Sequence, residues 1–306
     1  MVFNVSSPAE HAGWAAGWMN NGVPPEVAVR LIVFDLDGTL LGADNRLSDY
    51  SAAVLRRASA DEGITLMAAS GRSHWAADLV LDSCPEVDHV ICSNGAVLWQ
   101  RTTGTVVRRR TITQRRFTHL HATVNEMLEG ACWAWETERG IVPDDVFRWL
   151  GTRPGYELDE LLASPDLHLQ GDPGLPILDR LAGYGTIVRG LLAHPEMPAA
   201  EVYRRLHGRV PARLSSSSAI FLEVTAPKVG KAAMLRDYCK RAGIARDEVV
   251  AFGDHMNDLR MLQWAGRGIA VAGAYHQVLA RIPEHTDRPN HADGVAIHIE
   301  KILADR

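Results

Sequence analysis

The sequence predicts an α/β protein: a Rossmann-like parallel sheet in a three-layer α/β/α core, interrupted by an inserted α+β domain. Three features of the 306-residue chain support this fold class. Short apolar runs alternate with amphipathic segments from residue 31 onward, the pattern then changes to hairpins and mixed units, and the alternation returns near the end of the chain. The predicted division is an N-terminal extension over 1–30, a core formed by 31–96 and 223–306, and an inserted domain over 97–222.

The first part of the core predicts a βαβαβ unit. Its strands are expected at Leu31–Phe34, Ile64–Ala69 and His89–Ser93. A helix is expected from about Ser48 to Glu62, with Ser48 in the N-cap position. Strands joined through helices run parallel, so the residues that follow them gather at one edge of the sheet. Functional side chains are therefore expected directly after these strands.

The inserted domain and the second part of the core contain further predicted elements. Those of the insertion are a hairpin of Ala96–Gln100 and Thr105–Arg110, helices over Thr113–Leu128 and Ala199–His207, and strands over Ala131–Thr137, Tyr184–Ala193 and Ala219–Val224. Those after it are helices over Lys231–Arg241, over Asn257–Trp264 and ending near Leu303, and strands over Glu248–Phe252 and Gly268–Val271. Residues 138–178, rich in Pro, Gly and Asp, predict no definite element, and a short helix is predicted over Glu10–Asn20.

Composition limits the kind of partner. The formal net charge of −5 argues against bulk electrostatic attraction to nucleic acid or to an anionic membrane. No apolar run reaches the roughly 20 residues that span a bilayer, and the N-terminus lacks the pattern of a signal peptide. The four cysteines form no CxxC pair, as is typical of reduced thiols in the cytoplasm. We expect a cytoplasmic monomer or homodimer with no nucleic-acid or membrane partner.

Two carboxylates directly follow the first predicted strand. Asp35 and Asp37 begin the sequence Asp-Leu-Asp-Gly-Thr-Leu. One carboxylate at a strand tip is placed to attack an electrophile, and the second is placed to move a proton. Together they attract a hard cation. Gly38 and Thr39 add a glycine turn and a hydroxyl, so this segment indicates phosphoryl transfer.

Two other segments offer groups that bind phosphate. Ser70 and Gly71 follow the second strand, where a hydroxyl and a backbone N–H can converge on one phosphate oxygen. Lys231 stands near a predicted helix start and is placed to neutralise a phosphate. Lys228, in the same segment, remains the alternative.

A second acidic segment follows a later apolar strand. Its sequence is Gly-Asp-His-Met-Asn-Asp, which contains Asp254, Asn257 and Asp258. Two carboxylates and an amide in this order suit the oxygen coordination of Mg²⁺. Such an ion would offset the repulsion between Asp35 and a phosphate.

Taken in order, the four segments resemble the motifs of the haloacid dehalogenase-like superfamily. The nucleophile, hydroxyl, lysine and metal motifs are matched by Asp35–Thr39, Ser70, Lys231 and Asp254–Asp258. The insertion follows Asn94-Gly95-Ala96, between the hydroxyl and lysine motifs, which resembles the Cof-type branch with its large α/β cap. The lysine segment departs from the usual pattern, because glycine precedes Lys231 and alanine follows it, where the family usually has serine and glycine.

The resemblance implies a Mg²⁺-dependent phosphatase of a small phosphorylated metabolite, with a sugar phosphate as the first expectation. Asp35 would form an aspartyl-phosphate, and Asp37 would protonate the leaving group and then activate water. The implied phosphate-binding residues are Gly38, Thr39, Ser70, Gly71 and Lys231. The implied Mg²⁺ ligands are Asp35, the backbone carbonyl of Asp37 and Asp254, with Asp258 or Asn257 among them or just behind them.

The cap is implied to close over the site and to select the substrate. Residues considered for contact with the substrate are Arg72, Asn94, Arg108, Glu136, Arg148 and Arg189. Two alternatives remain open at this level. A phosphomutase of the same fold would return the phosphoryl group to its substrate, and a non-catalytic protein would bind a phosphorylated ligand without hydrolysis.

Overall fold

The structure, a computed structural model, describes residues 28–60, 62–151, 177–181, 184, 186–215 and 220–304. The helix predicted over Glu10–Asn20 lies outside these residues, and so do residues 152–176 of the segment rich in Pro and Gly. Within the described residues, the strands form two sheets, one of eight strands and one of five.

The order of the strands in the two sheets differs from their order along the chain. In chain order they are β1 (Leu31–Phe34), β2 (Thr65–Ala69), β3 (His89–Cys92), β4 (Val97–Gln100), β5 (Thr105–Arg109), β6 (Cys132–Thr137), β7 (Ile141–Pro143), β8 (Ile187–Ala193), β9 (Arg213–Ser215), β10 (Phe221–Thr225), β11 (Val249–Gly253), β12 (Arg267–Ala270) and β13 (Glu284–His285). The larger sheet has the order β13-β12-β11-β1-β2-β3-β4-β5, and the smaller has the order β7-β6-β8-β10-β9. Strands β13 through β3 of the larger sheet are parallel. All pairs of the smaller sheet are antiparallel.

Helices cover both faces of the larger sheet. The helices of the described residues are α1 (Asp49–Ala60), α2 (His74–Val80), α3 (Gln114–Met127), α4 (Asp145–Gly151), α5 (Ile177–Leu181), α6 (Ala199–Leu206), α7 (Lys231–Ala242), α8 (Leu259–Trp264), α9 (His276–Leu279) and α10 (Gly294–Ala304). Alternate residues of β1 enter different buried clusters. Ile32 and Phe34 belong to the cluster that includes α1 and α10, whereas Leu31 and Val33 belong to the cluster that includes α7 and α8. This alternation produces the three-layer core that the continuous apolar run of β1 predicts.

The smaller sheet forms the cap, and its two faces differ. Trp133 and Trp135 stack on one face of β6, and Phe117 of α3 packs against Trp135 edge to face. On the opposite face, Glu136 and Arg189 stand side by side in neighbouring strands. Helix α3 therefore packs on the aromatic face. On the opposite face, Phe147 and Leu150 of α4 pack with Cys132 and Ala134, and Glu136 beyond them contacts Ser93 of the core.

The predicted fold class, an α/β core with an inserted α+β cap, is confirmed. The β4–β5 hairpin, however, pairs antiparallel with β3 and extends the core sheet, although its sequence was assigned to the insertion. We propose that the inserted domain begins after this hairpin, near residue 110, and ends near residue 222. None of the helices in the described ranges combines the length and apolarity needed to cross a membrane.

Candidate active site

The site forms where the central strands of the core sheet end. Strand β1 lies between β2 and β11, and Phe34 is in register with Ala68 and Phe252. Asp35 follows at once, and its backbone N–H donates to the Phe252 carbonyl at 3.1 Å. Asp254 comes directly after β11. The groups predicted from separate segments therefore emerge at one edge of the sheet.

Lys231 lies at the centre of the site. Its Nζ atom is 2.8 Å from Asp35 Oδ1 and 2.6 Å from Asp258 Oδ1, and all three side chains are buried. Burial alone would lower the pKa of Lys231, but the charges of Asp258 and Asp35 outweigh it and raise the pKa above its ordinary value. Lys228 is exposed, with a backbone φ of +67°. The structure therefore brings Lys231, and not Lys228, to the carboxylates.

Three carboxylates converge on the same point. Asp35, Asp254 and Asp258 each offer an oxygen within 4.8 Å of the others. Burial raises the pKa of Asp35 well above its usual value, the charge of Asp258 adds to this, and Lys231 opposes it. Burial, followed by the charge of Asp258, raises the pKa of Asp254 to about 6. A cluster of oxygen donors under this repulsion fits a hard divalent cation such as Mg²⁺.

The turn after β1 holds Asp254 in place. Thr39 Oγ1 donates to Asp254 Oδ1 at 3.0 Å. Gly38 has a φ of +74°, and a Cβ atom at this position would lie 2.5 Å from Asp254 Oδ2. Only glycine adopts this positive φ without strain and also leaves room for the Asp254 carboxylate. Both residues were predicted to bind phosphate, and the contact the structure gives them is with a predicted metal ligand.

Asp258 orders the loop that carries Asp254. Its Oδ2 atom accepts hydrogen bonds from the backbone N–H groups of Asp254, at 3.3 Å, and of His255, at 3.1 Å. Its Oδ1 atom contacts Lys231. Asp258 thus connects the loop to the lysine, and it also contributes charge to the carboxylate cluster.

Asp37 is paired with an arginine. Arg72 Nη2 donates to Asp37 Oδ1 at 2.6 Å, and Arg72 Nε donates to Oδ2 at 2.9 Å. The backbone N–H of Arg72 donates to Ser70 Oγ at 3.0 Å, across Gly71. Arg72 was predicted to contact substrate as part of the specificity set, but its described partner is Asp37. A two-pronged guanidinium contact fixes both the position and the orientation of this carboxylate.

A buried ionic cluster joins the cap to the core. Arg189 donates to Glu136 at 2.5 Å and to Glu223 at 2.7 Å, and none of the three side chains is more than 3% exposed. Ser93, at the end of β3, donates to Glu136 at 2.5 Å. Asn94 donates to Glu223. Three cap strands, β6, β8 and β10, therefore meet the end of one core strand in a single hydrogen-bonded network.

The network continues to the metal segment. Asn257 donates through Nδ2 to Asn94 Oδ1 at 2.9 Å. Asn257 was predicted as a possible metal ligand. In the structure it contacts Asn94, which in turn contacts Glu223 of the cap. Arg108 lies elsewhere: it belongs to β5 of the core sheet and pairs with Asp237 at 3.2 Å. The side chain of Arg148 lies outside the described part of the structure.

A comparison with protein families decides the family. The model for haloacid dehalogenase-like hydrolases matches residues 32–156 and 188–299, which is well over half of the chain and contains both acidic segments. The chain belongs to the haloacid dehalogenase-like hydrolases.

Relatives of this haloacid dehalogenase-like hydrolase are phosphatases. The 5-amino-6-(5-phospho-D-ribitylamino)uracil phosphatase YcsE of Bacillus subtilis is 24% identical over 284 residues, which are 89% of this chain and 94% of that protein. The solved phosphatase BT1666 of Bacteroides thetaiotaomicron superposes with a TM-score of 0.74 at 21% identity, over 94% of this chain and 98% of that one. The subclass IIB sugar phosphatase BT4131 superposes with a TM-score of 0.70 at 21% identity, over 90% and 99%. The Cof-type resemblance is confirmed, and the chain is a phosphoric monoester hydrolase of this family.

Sequence reasoning did not single out Glu223 or Ser93 as residues of the site region. Glu223 is the one charged residue in the strand sequence Phe-Leu-Glu-Val-Thr, and it is buried. A carboxylate inside an apolar run requires a partner, which is the signal that was available. The sequence contains no comparable signal for Ser93. Its contact with Glu136 of the cap depends on the local backbone, which has a φ of +49° at this residue.

Proposed function

We propose that this haloacid dehalogenase-like phosphatase hydrolyses a small phosphorylated metabolite, with a sugar phosphate as the first candidate, through an aspartyl-phosphate on Asp35. The observation that carries the proposal is the contact of Lys231 with Asp35 at 2.8 Å, beside the carboxylate of Asp254. A buried carboxylate at a strand tip, next to a cation, is suited to attack a phosphorus atom whose oxygens the same cation attracts.

The proposed reaction has two steps. Asp35 attacks phosphorus, the bond from phosphorus to the substrate oxygen breaks, and Asp37 gives its proton to that oxygen. Asp37, now a carboxylate, takes a proton from water as the water oxygen attacks the phosphoryl group. The bond from phosphorus to Asp35 then breaks, which releases inorganic phosphate and restores both residues. Lys231, with the Ser70 hydroxyl and the Gly71 N–H, holds the phosphoryl oxygens in both steps.

The carboxylates of Asp35 and Asp254 and the backbone carbonyl of Asp37 would hold Mg²⁺, with Asp258 beside them. When bound, Mg²⁺ offsets the negative charge of the cluster and stabilises charge on the transferring phosphoryl group. Thr39 and Gly38 keep Asp254 in position for this role.

Several observations support the choice of a small polar substrate inside the cell. Charged residues of the cap, Glu136, Arg189 and Glu223, lie where the cap meets the core. The solved relative BT4131 is named a sugar phosphatase.

The four cysteines are free and buried, which is in keeping with the reducing environment of the cytoplasm. We propose that the protein is a monomer or a homodimer in this compartment.

A panel of phosphorylated metabolites tests the proposal. The protein is incubated with each compound in Mg²⁺ or in EDTA, and inorganic phosphate is measured, with Asp37→Asn as the negative control. We expect Mg²⁺-dependent phosphate release from one or more sugar phosphates, and a loss of at least about 10²-fold in Asp37→Asn. Conversion of a hexose 1-phosphate to the 6-phosphate without free phosphate would identify a mutase instead. Absence of turnover of every compound, para-nitrophenyl phosphate included, would favour a binding protein.

A further inference from the structure

Arg213 lies where the cap meets the core, next to the segment that leads to Lys231. It is the first residue of β9 and is in register with Thr225, the last residue of β10. Its guanidinium packs against Gly230, where a Cβ atom would lie 2.6 Å from Arg213 Nη1. Gly230 immediately precedes Lys231, whose ammonium contacts Asp35. The guanidinium therefore lies against the residue that precedes the proposed phosphate-binding lysine.

This guanidinium has no anionic partner in the part of the chain that the structure describes. Arg213 is half-buried, and it makes neither an ion pair nor a hydrogen bond with the described residues. Burial lowers the pKa of Arg213, and the charge of Arg260 lowers it further. The negative charge of Glu223 raises the pKa of Arg213, but the Glu223 carboxylate already accepts hydrogen bonds from Arg189 and Asn94. A charge that is half removed from water and unpaired is costly unless an anion binds to it.

Arg260 supplies a second guanidinium from the core. It lies in the first turn of α8, two residues after Asp258, and it is exposed. No ion pair of Arg260 is found among the described residues. Two guanidiniums, one from the cap and one from the core, therefore repel each other across the boundary between the domains. An anion between them would convert this repulsion into attraction and would also hold the cap against the core.

The positive charge extends along the same loop. Lys228 is exposed there, and its carbonyl accepts from Arg110 Nη1 at 3.5 Å. Neither side chain has a carboxylate partner within the described ranges. A protein with a net charge of −5 has thus gathered unpaired cations around one short loop. This local field favours a ligand that carries more than one negative group.

We propose that Arg213 and Arg260 bind a second anionic group of the substrate, a phosphate or a carboxylate, while its reacting phosphate lies at Asp35. The inference rests on the proposed function, and it narrows the substrate class to small metabolites with two anionic ends. One peptide step and one extended lysine side chain separate Arg213 from the Lys231 ammonium, so that the distance is at most roughly 15 Å. A sugar bisphosphate or a phosphorylated sugar acid spans such a gap when it sits between the two cations.

Matched pairs of substrates test this site. The kcat/KM values of fructose 1,6-bisphosphate and fructose 6-phosphate are compared, as are those of 6-phosphogluconate and glucose 6-phosphate. Each pair differs by one anionic group, so the first reports on phosphate and the second on carboxylate. In the wild-type protein we expect the doubly anionic member of at least one pair to be preferred by about tenfold or more, the gain from one charge-assisted contact.

The variants Arg213→Gln and Arg260→Gln should reduce that preference at least about tenfold, because each removes one of the two guanidiniums. The control is Arg204→Gln, since Arg204 is an exposed arginine paired with Glu201 on the outer side of the cap. Its preference should stay within about twofold of the wild-type value. Because Arg260 is exposed on a helix, its variant keeps the test open should Arg213→Gln fail to fold.

The outcomes separate this inference from the proposed function. Equal kcat/KM values within both pairs, or an unchanged preference in both variants, would overturn the second anion site while the phosphatase proposal stands. A wild-type protein that releases no phosphate from any substrate, para-nitrophenyl phosphate included, would contradict the proposed function itself. Loss of preference in Arg204→Gln as well would show a general effect of charge and would also overturn the site.

Discussion

Replacement of Lys231 by methionine is the perturbation whose effect follows most directly from the structure. Methionine keeps most of the length of the side chain and removes its charge. The change leaves the carboxylates of Asp35 and Asp258 buried and without the cation that lies 2.8 Å and 2.6 Å from them. Lys228→Met is the matched control, because Lys228 is exposed three residues earlier in the same segment.

The expected loss of stability is that of a broken buried ion pair. Removal of one partner leaves an uncompensated buried charge and costs about 3–5 kcal/mol. For a chain of this size, that corresponds to a fall in Tm of roughly 5–10 °C, measured in EDTA. Lys228→Met should change the free energy of unfolding by no more than about 0.5 kcal/mol. Adding Asp258→Asn to Lys231→Met should cost less than the sum of the two single changes, because it removes one of the stranded charges.

Activity should fall together with stability in Lys231→Met. Loss of one charged group that stabilises a transition state lowers kcat by about 10²–10³-fold, measured with para-nitrophenyl phosphate at saturating Mg²⁺. Two results together would refute the reasoning: a Tm of Lys231→Met within about 2 °C of the wild-type Tm, and a kcat above about a tenth of the wild-type kcat. It would also be refuted if Lys228→Met showed the larger loss.

Two further substitutions test separate parts of the site, and a thiol reagent tests the packing of the buried cysteines. Gly38→Ala should lower kcat at least about tenfold, because the strained φ of +74° costs about 1–2 kcal/mol and the new Cβ displaces Asp254. Arg72→Gln should lower kcat about 10–100-fold with a small effect on Tm, since Asp37 loses its two-pronged contact. The buried thiols should not react with Ellman's reagent at pH 8 until the protein is unfolded, because burial raises their pKa and leaves almost no thiolate. Burial raises the pKa to about 12 for Cys84 and Cys132, to about 11 for Cys239, and well above the usual value for Cys92.

Each of these predictions has its own control. Gly63→Ala places alanine at a φ of +64° with no atom within 4 Å of the new Cβ, so it should lower Tm without lowering kcat. Equal kcat losses in the two glycine variants would contradict the role given to Gly38. Arg56→Gln removes an exposed arginine that pairs with Glu86, and an Arg72→Gln protein that resembles it in kcat would speak against positioning of Asp37. A thiol that titrates in the native protein would show that the cysteine environment differs from the structure.

The core and the convergence of its acidic segments were predictable because their signals are local. Leu31–Phe34 is a continuous apolar run, which a strand covered on both faces requires, and Asp35 follows it without a gap. The same relation holds for Asp254 after β11. Parallel strands bring such positions together by topology alone, so spacing along the chain was enough to predict one site.

The contacts between distant segments were not predictable in this way. Lys231 and Lys228 are three residues apart, and only the packing of α7 decides which of them reaches Asp35. Arg72 is predicted from the sequence to contact the substrate, yet in the structure its guanidinium contacts Asp37. The sequence of the β4–β5 hairpin is compatible both with the core sheet and with the start of the insertion. Only its pairing with β3, which the hairpin sequence does not specify, assigns it to the core sheet.

The buried cluster of Arg189 shows the same limit for the cap. Its two partners, Glu136 and Glu223, are 53 and 34 residues away along the chain. Each charged residue interrupts an apolar strand, so burial of a polar partner could be inferred, but the identity of that partner could not. Cross-strand register decides it, and register between strands so far apart is a property of the folded cap.

The central claim is that Asp35 receives the phosphoryl group, and rapid quenching of the reaction tests it most directly. Wild type and Asp37→Asn are mixed with para-nitrophenyl phosphate and Mg²⁺, quenched in acid and digested, and the peptides are analysed by mass spectrometry. We predict the mass of one phosphoryl group on the peptide that contains Asp35, sensitive to hydroxylamine and absent from Asp35→Asn. Full-rate hydrolysis with no phosphoryl group on that peptide, or undiminished turnover by Asp35→Asn, would contradict the account.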